Sequence, residues 1–172
     1  MENQQNANRV MHEGNIQLLA DKIKDVKLCM LTTVNNDGRT HSRPMYTQPI
    51  KEDGLVWFFI DINSHKVSEI RNNSNVGLNY SDPGKDLYIS ASGKATINQD
   101  KAKIDELWNP FLKAWFPEGK DDPTVALLKV DLDEAEIWDT PDTKLSQLYG
   151  FVKASITGEE YNPGENVKID LK

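Results

Sequence analysis

The sequence predicts a mainly β fold with α additions, an α+β chain built on an antiparallel barrel of six strands with flanking helices. Two observations point to it. Short apolar runs are separated by clusters of Asn, Asp, Gly and Pro, which is the chemistry of hairpin turns. Helical spacing is confined to the start, middle and end of the chain, and no glycine-rich dinucleotide fingerprint or regular alternation of strand and helix suggests a doubly wound fold.

Residues 1–13, rich in Asn and Gln with little to bury, read as a disordered tail. Ile16, Leu19, Ala20, Ile23 and Val26 recur every three or four positions, so an amphipathic helix follows, with Glu13, Asp21, Lys22 and Asp25 mainly towards water. Leu28 to Val34 is a buried strand, and Asn35-Asn36-Asp37-Gly38 turns it into a second strand from Thr40 to Gln48. Pro44 lacks an amide donor, so it marks an edge, a bulge or a stretch of backbone left open. Leu55 to Ile60 is a third strand, joined to the second through Lys51-Glu52-Asp53-Gly54. These two strands are expected to form a hairpin; with its turn centred near Glu52 and Asp53, positions summing to about 105 face each other, which sets Arg43 opposite Ile62 to within about two positions.

A short helix runs from Ser64 to about Asn72. A fourth strand covers Asn75 to Ser81, Asp82-Pro83-Gly84-Lys85 turns the chain, and a fifth strand spans Leu87 to Asn98. Gly93 interrupts that strand, as expected where a barrel bends or another backbone comes close. Asp100 to Trp108 is helical and precedes the cluster Phe111, Leu112, Trp115 and Phe116. Val125 to Leu132 and Glu134 to Trp138 are expected to pair with each other, and Leu145, Leu148, Tyr149 and Val152 give helical spacing to Thr143–Ala154. The folded domain is therefore expected over residues 14–155, with a polar tail over 156–172.

At 172 residues the chain fits one domain with a real core. Its net charge of -7, with no run of Lys and Arg, argues against nucleic acid and anionic membrane as partners. The single cysteine, Cys29, cannot form an internal disulfide, and a reducing cytoplasm is expected. The polar start MENQQNANRV has no apolar h-region, so neither a secretory leader nor a membrane helix is expected. His12, His41 and His65 sit at no metal-ligand spacing, and no metal site is assigned.

The stretch from Thr40 to Ile70 holds the candidate site. Asn63 or Ser64 caps a helix whose first amides are unpaired, Lys66 lies in its first turn, and the hairpin register brings Arg43 to the same end. Helix dipole and two cations acting together make an anion site that requires no glycine-rich loop. The structural alternative for each residue is plain: Ser64 as a cap only, Lys66 as a solvated lysine, Arg43 as the partner of a carboxylate.

These residues, taken together, resemble the pyridoxamine phosphate oxidase-like family of FMN-binding split barrels, and within it the general stress protein 26 branch. The resemblance runs from about Ile16 to Trp138. It rests on Gly38-Arg39-Thr40-His41-Ser42-Arg43-Pro44-Met45, Leu55 to Ile60, Ser64-His65-Lys66-Val67, Ser92-Gly93-Lys94-Ala95, Trp115-Phe116-Pro117 with Asp122-Pro123, and Glu136-Ile137-Trp138-Asp139. It implies a homodimer with FMN, or FAD as an alternative, in clefts between subunits. The phosphate would lie on Arg43, Ser64 and Lys66, the ring along Arg43, Pro44, Met45, Ile60 and Asp61, and His65 would be a further cofactor-binding residue. Trp138, Trp115 and Tyr88 would come from the partner subunit.

The same resemblance limits the activity. Where true oxidases of the family carry Arg-Leu-His for their substrate, this chain has Lys144-Leu145-Ser146. A lysine is not a planar fork and a serine does not titrate, so pyridoxamine phosphate oxidation is not expected. The leading reading is a flavin-dependent oxidoreductase of the stress-protein type, with no catalytic residue assigned. The alternatives are a non-catalytic flavin carrier or sensor, and a related barrel using a deazaflavin or haem.

Overall fold

The computed structural model describes residues 2–51, 53–139 and 165–172. The expected helix at Thr143–Ala154, the Lys144-Leu145-Ser146 segment and Glu52 lie outside them. Helices α1 (Glu2–Ile23), α2 (His65–Asn72) and α3 (Lys101–Leu107) flank strands β1 (Leu28–Val34), β2 (Thr40–Tyr46), β3 (Val56–Asp61), β4 (Asn75–Asp82), β5 (Leu87–Asn98), β6 (Val125–Asp139) and β7 (Glu165–Asp170). All strand pairs are antiparallel, in the order β2–β1–β4–β5–β6–β3, with β7 added beside β6. This is the split-barrel architecture. Among the described residues no helix is long and apolar enough to cross a membrane.

Strands β1, β4 and β5 alternate buried and exposed residues, so one face of each lines the core and the other faces outwards. β3 behaves differently because its apolar run is continuous. Val56, Phe58 and Ile60 enter the barrel core, whereas Trp57 and Phe59 pack under Ile104, Leu112 and Phe116 in a second cluster. Phe59 meets Trp108 edge-on at 5.6 Å between ring centroids. The α3 segment thus covers the outer side of β3 and holds the following 3-10 turn, Pro110–Ala114, near the barrel end.

Several expectations need correction. β2 and β3 do not form a ladder; β2 pairs with β1 and β3 with β6. One bond of the expected register does form, Gln48 N–H to Trp57 O at 2.9 Å, and the strands then separate. Arg43 is therefore opposite Leu31, not Ile62. The cause is closure: β2 and β3 end the strand order, and curling of the sheet brings them together at one point only. Pro44 fits this arrangement, since it lies on a strand paired on one side.

The residues from Val125 to Asp139 form one long strand instead of a hairpin. Ser92 faces Glu134 and Gly93 faces Leu132, which leaves Asp133 as the extra residue of a bulge. A Cβ on Gly93 would stand 2.3 Å from Asp131 O, so the expected close backbone approach is present. The two polar tails also contain structure. α1 begins at Glu2 because residues 2–13 continue a helix already nucleated over Ile16–Ile23, and propagation costs less than nucleation. In the 156–172 segment, Val167, Ile169 and Leu171 alternate with charged residues, and Ile169 and Leu171 are buried beside β6.

Candidate functional site

Where β2 and β3 part, they leave an open cleft of about 1110 Å³. Its walls come from the free edge of β2, the end of β3, the start of α2, the end of α1 and the 3-10 turn. Of the residues singled out from sequence, Arg43, Pro44, Met45, Ile60, Asp61, Ser64, His65, Lys66 and Trp115 line it. Tyr88 and Trp138 do not. They face each other across β5 and β6, both largely exposed, on the outer side of the sheet. Trp115, expected from a partner, lines the cleft of its own chain because the 3-10 turn swings it there.

At the α2 end of the cleft, Ser64 is the N-cap, but its hydroxyl turns back to donate to Asp61 O at 2.6 Å. The helix therefore starts without a side-chain cap and with no acid in its first turn, so its positive end is uncompensated. Lys66 stands in that turn, half-buried, and its ammonium has no hydrogen bond or ion pair among the described residues. Burial first, and then the Arg43 guanidinium, lower its pKa against the pull of Asp61 and Glu69. A free cation already destabilised by its surroundings is one that a bound anion would relieve.

Arg43 has a more divided role than its sequence suggested. One terminal nitrogen donates to Thr33 Oγ1 at 2.6 Å and the other to Glu69 Oε2 at 2.9 Å. Glu69 is 9% exposed and also meets Thr33 Oγ1 and His41 Nδ1, each at 2.6 Å. Burial opposes its charge, but the Thr33 and His41 hydrogen bonds and the Arg43 cation hold its pKa down to about 2. The carboxylate reading for Arg43 is thus realised, with a buried partner. Guanidinium has five N–H donors, so donors remain for a ligand after Thr33 and Glu69 are served. Glu69 was not visible as a site residue in the sequence; the available signal was His41 and Arg43 on one strand face with Glu69 one turn beyond Lys66.

A phosphorylated, ring-bearing ligand fits these residues. Lys66 and the start of α2 suit the phosphate, and the unpaired edge of β2 offers main-chain hydrogen bonds to a planar polar ring. Among the described residues no group of three or more His, Cys, Asp or Glu could hold a metal. A split barrel with an anion corner at one end of an open, largely apolar cleft is the class that fold and site define. The chain matches the pyridoxamine 5'-phosphate oxidase like family over residues 14–162 and belongs to that family.

Relatives agree with that placement. The general stress protein 26 of Bacillus anthracis str. Sterne is 30% identical, covers 69% of this chain and 92% of its own, and superposes with a TM-score of 0.60. The general stress FMN/FAD binding protein of Xanthomonas citri is 32% identical over 78% of this chain and 92% of its own, with a TM-score of 0.64. Protein bli-3 of Neurospora crassa is 24% identical over 143 residues, 77% of this chain and 68% of that protein.

Proposed function

We propose that this protein binds FMN in the cleft and works as a flavin-dependent oxidoreductase on a small molecule, as a homodimer. The observation that carries the reading is Lys66, a half-buried cation without a partner among the described residues, at the uncapped start of α2 beside Arg43. That the Xanthomonas citri relative is an FMN/FAD binding protein supports the same cofactor. Bound flavin would supply two-electron redox chemistry at its ring. The protein's own part is to hold the phosphate with Lys66 and Arg43, shape the slot with Pro44, Met45 and Ile60, and keep the ring between apolar walls.

Pairing of two chains is supported by the outer face of the sheet. Leu28 and Met30 on β1, Tyr46 on β2, Tyr88 on β5 and Trp138 on β6 expose large apolar surface there. A second copy covering this face would bring Tyr88 and Trp138 to the neighbouring cleft. The test is a comparison of FMN with riboflavin, which lacks the phosphate. Lys66→Ala should weaken FMN about tenfold to a hundredfold and leave riboflavin nearly unchanged, because a charge-assisted hydrogen bond contributes about 1.5–3 kcal/mol. Equal losses for both ligands would remove the phosphate assignment.

A further inference from the structure

Lys66 differs from the other lysines of the chain in what surrounds its amine. Most described lysines meet a carboxylate: Lys22 pairs with Asp139 and Lys24 with Asp21, and hydrogen bonds to Asp121 and Asp131 push the pKa values of Lys101 and Lys172 up. An ammonium held in this way keeps its proton, so its nitrogen lone pair is not free to attack. Lys66 is placed differently. It is half-buried in the cleft wall and has no hydrogen bond or ion pair among the described residues, while burial and then the Arg43 guanidinium lower its pKa. Desolvation and a neighbouring cation are the two conditions that make a lysine nucleophilic.

The cleft determines which electrophile reaches this amine. Arg43 lies on the same wall and uses one terminal nitrogen on Thr33 Oγ1 at 2.6 Å and the other on Glu69 Oε2 at 2.9 Å, so N–H groups remain for a phosphate. A phosphate held by Arg43 and Lys66 is in contact with the Lys66 nitrogen. In an acyl phosphate the carbonyl carbon is bonded to a phosphate oxygen, so an amine that touches the phosphate also reaches that carbon. In an acyl thioester of a nucleotide the phosphates lie many bonds from the acyl group, and holding them here would carry the acyl group away from Lys66.

We propose that Lys66 is a modification site, acylated by acyl phosphates that bind through their phosphate to Lys66 and Arg43. The lone pair of the Lys66 nitrogen forms a bond to the acyl carbon, and the bond from that carbon to the bridging oxygen breaks. Phosphate leaves with the electron pair and takes up the proton released by the amine. No oxidant or reductant takes part. An uncharged amide replaces the ammonium. The site goes beyond the flavin reading, since it requires only that these two cations accept a phosphate; its consequence, that acylation weakens FMN binding, rests on that reading.

The experiment treats the full chain with acetyl phosphate and follows acetylation of each lysine over time by peptide mass spectrometry. N-hydroxysuccinimidyl acetate, which carries no phosphate, is run alongside. Lys24 and Lys27, exposed on the same cleft, are the internal reference. The preference for Lys66 over these two should be about tenfold greater with acetyl phosphate than with the ester, the effect of one charge-assisted contact to the phosphate. Excess inorganic phosphate should slow acetylation of Lys66 by acetyl phosphate and leave Lys24 and Lys27 unchanged. Equal preference with the two reagents, or no protection by phosphate, would overturn the proposal, and neither result depends on a variant that must fold. FMN should protect Lys66 in the same way, and the acetylated chain should bind FMN about tenfold to a hundredfold more weakly with riboflavin nearly unaffected. Protection by inorganic phosphate but not by FMN would leave the modification site standing and remove the flavin phosphate from it.

Discussion

Arg43 and Lys66 show how two cations of similar appearance in sequence divide their work. Arg43 is tied to Thr33 and the buried Glu69, whereas Lys66 has no such tie among the described residues. Lys66 is accordingly the residue on which phosphate affinity should depend most. Arg43→Ala should also weaken FMN, but with a loss of stability, because it leaves the Glu69 carboxylate buried beside Thr33 and His41 alone. Urea unfolding of both variants checks this: Lys66→Ala should unfold near the wild-type midpoint and Arg43→Ala well below it. Glu69 itself gives a pH prediction. Its folded pKa of about 2 lies below the ordinary 4.5, so its stabilisation is complete above about pH 4.5 and is lost as pH falls towards 2. Glu69→Gln should flatten the fall in stability across that window and cost about 3 kcal/mol at neutral pH, read from urea midpoints at several pH values.

At the scale of elements, the bulge in β6 and the added strand β7 decide how the sheet is shaped. Gly93 is required because a Cβ there would meet backbone, Asp131 O at 2.3 Å, and backbone cannot step aside as a flexible side chain can. Gly93→Ala should therefore destabilise the protein by about 1–3 kcal/mol, measured by urea unfolding. β7 contributes through Ile169 and Leu171, both buried, and through Leu171 N–H to Asp133 O at 2.9 Å, which ties the chain end to the bulge. Asn15 Nδ2 donates to Asp170 O at 2.8 Å, so β7 also anchors α1. The strand is small, but it links three parts of the fold.

For the whole molecule, the outer sheet face and the cleft are expected to depend on each other. The protein should sediment as a dimer, and Met30→Lys, which places a charge among the exposed apolar side chains, should shift it towards monomer and weaken FMN. A wild-type monomer that binds FMN at full strength would overturn the shared cleft. The FMN-loaded protein should also form pyridoxal phosphate from pyridoxamine phosphate at least about a hundredfold more slowly than a true oxidase measured alongside, since Lys144 and Ser146 replace a rigid fork and a ring.

The strands β1, β4 and β5, the turn at Gly38 and the close approach at Gly93 were all legible in the sequence. Each is decided by neighbouring residues: a two-residue alternation, an Asn-Asp-Gly turn, or a glycine inside a strand. The anion corner was partly legible for the same reason, because Ser64 and Lys66 lie within one turn of each other. What the sequence could not assign was the pairing between distant segments. The Lys51 to Gly54 turn made β2 and β3 look like partners, yet barrel closure pairs β3 with β6 and opens the cleft between the two strands instead. Glu69 was hidden for the related reason that a side chain becomes a buried partner only when remote groups arrive around it. Thr33, His41 and Arg43 come to Glu69 from β1 and β2. Local chemistry determined the elements and half of the site; the long-range closure of the sheet decided where the cleft lies and which donors it leaves free.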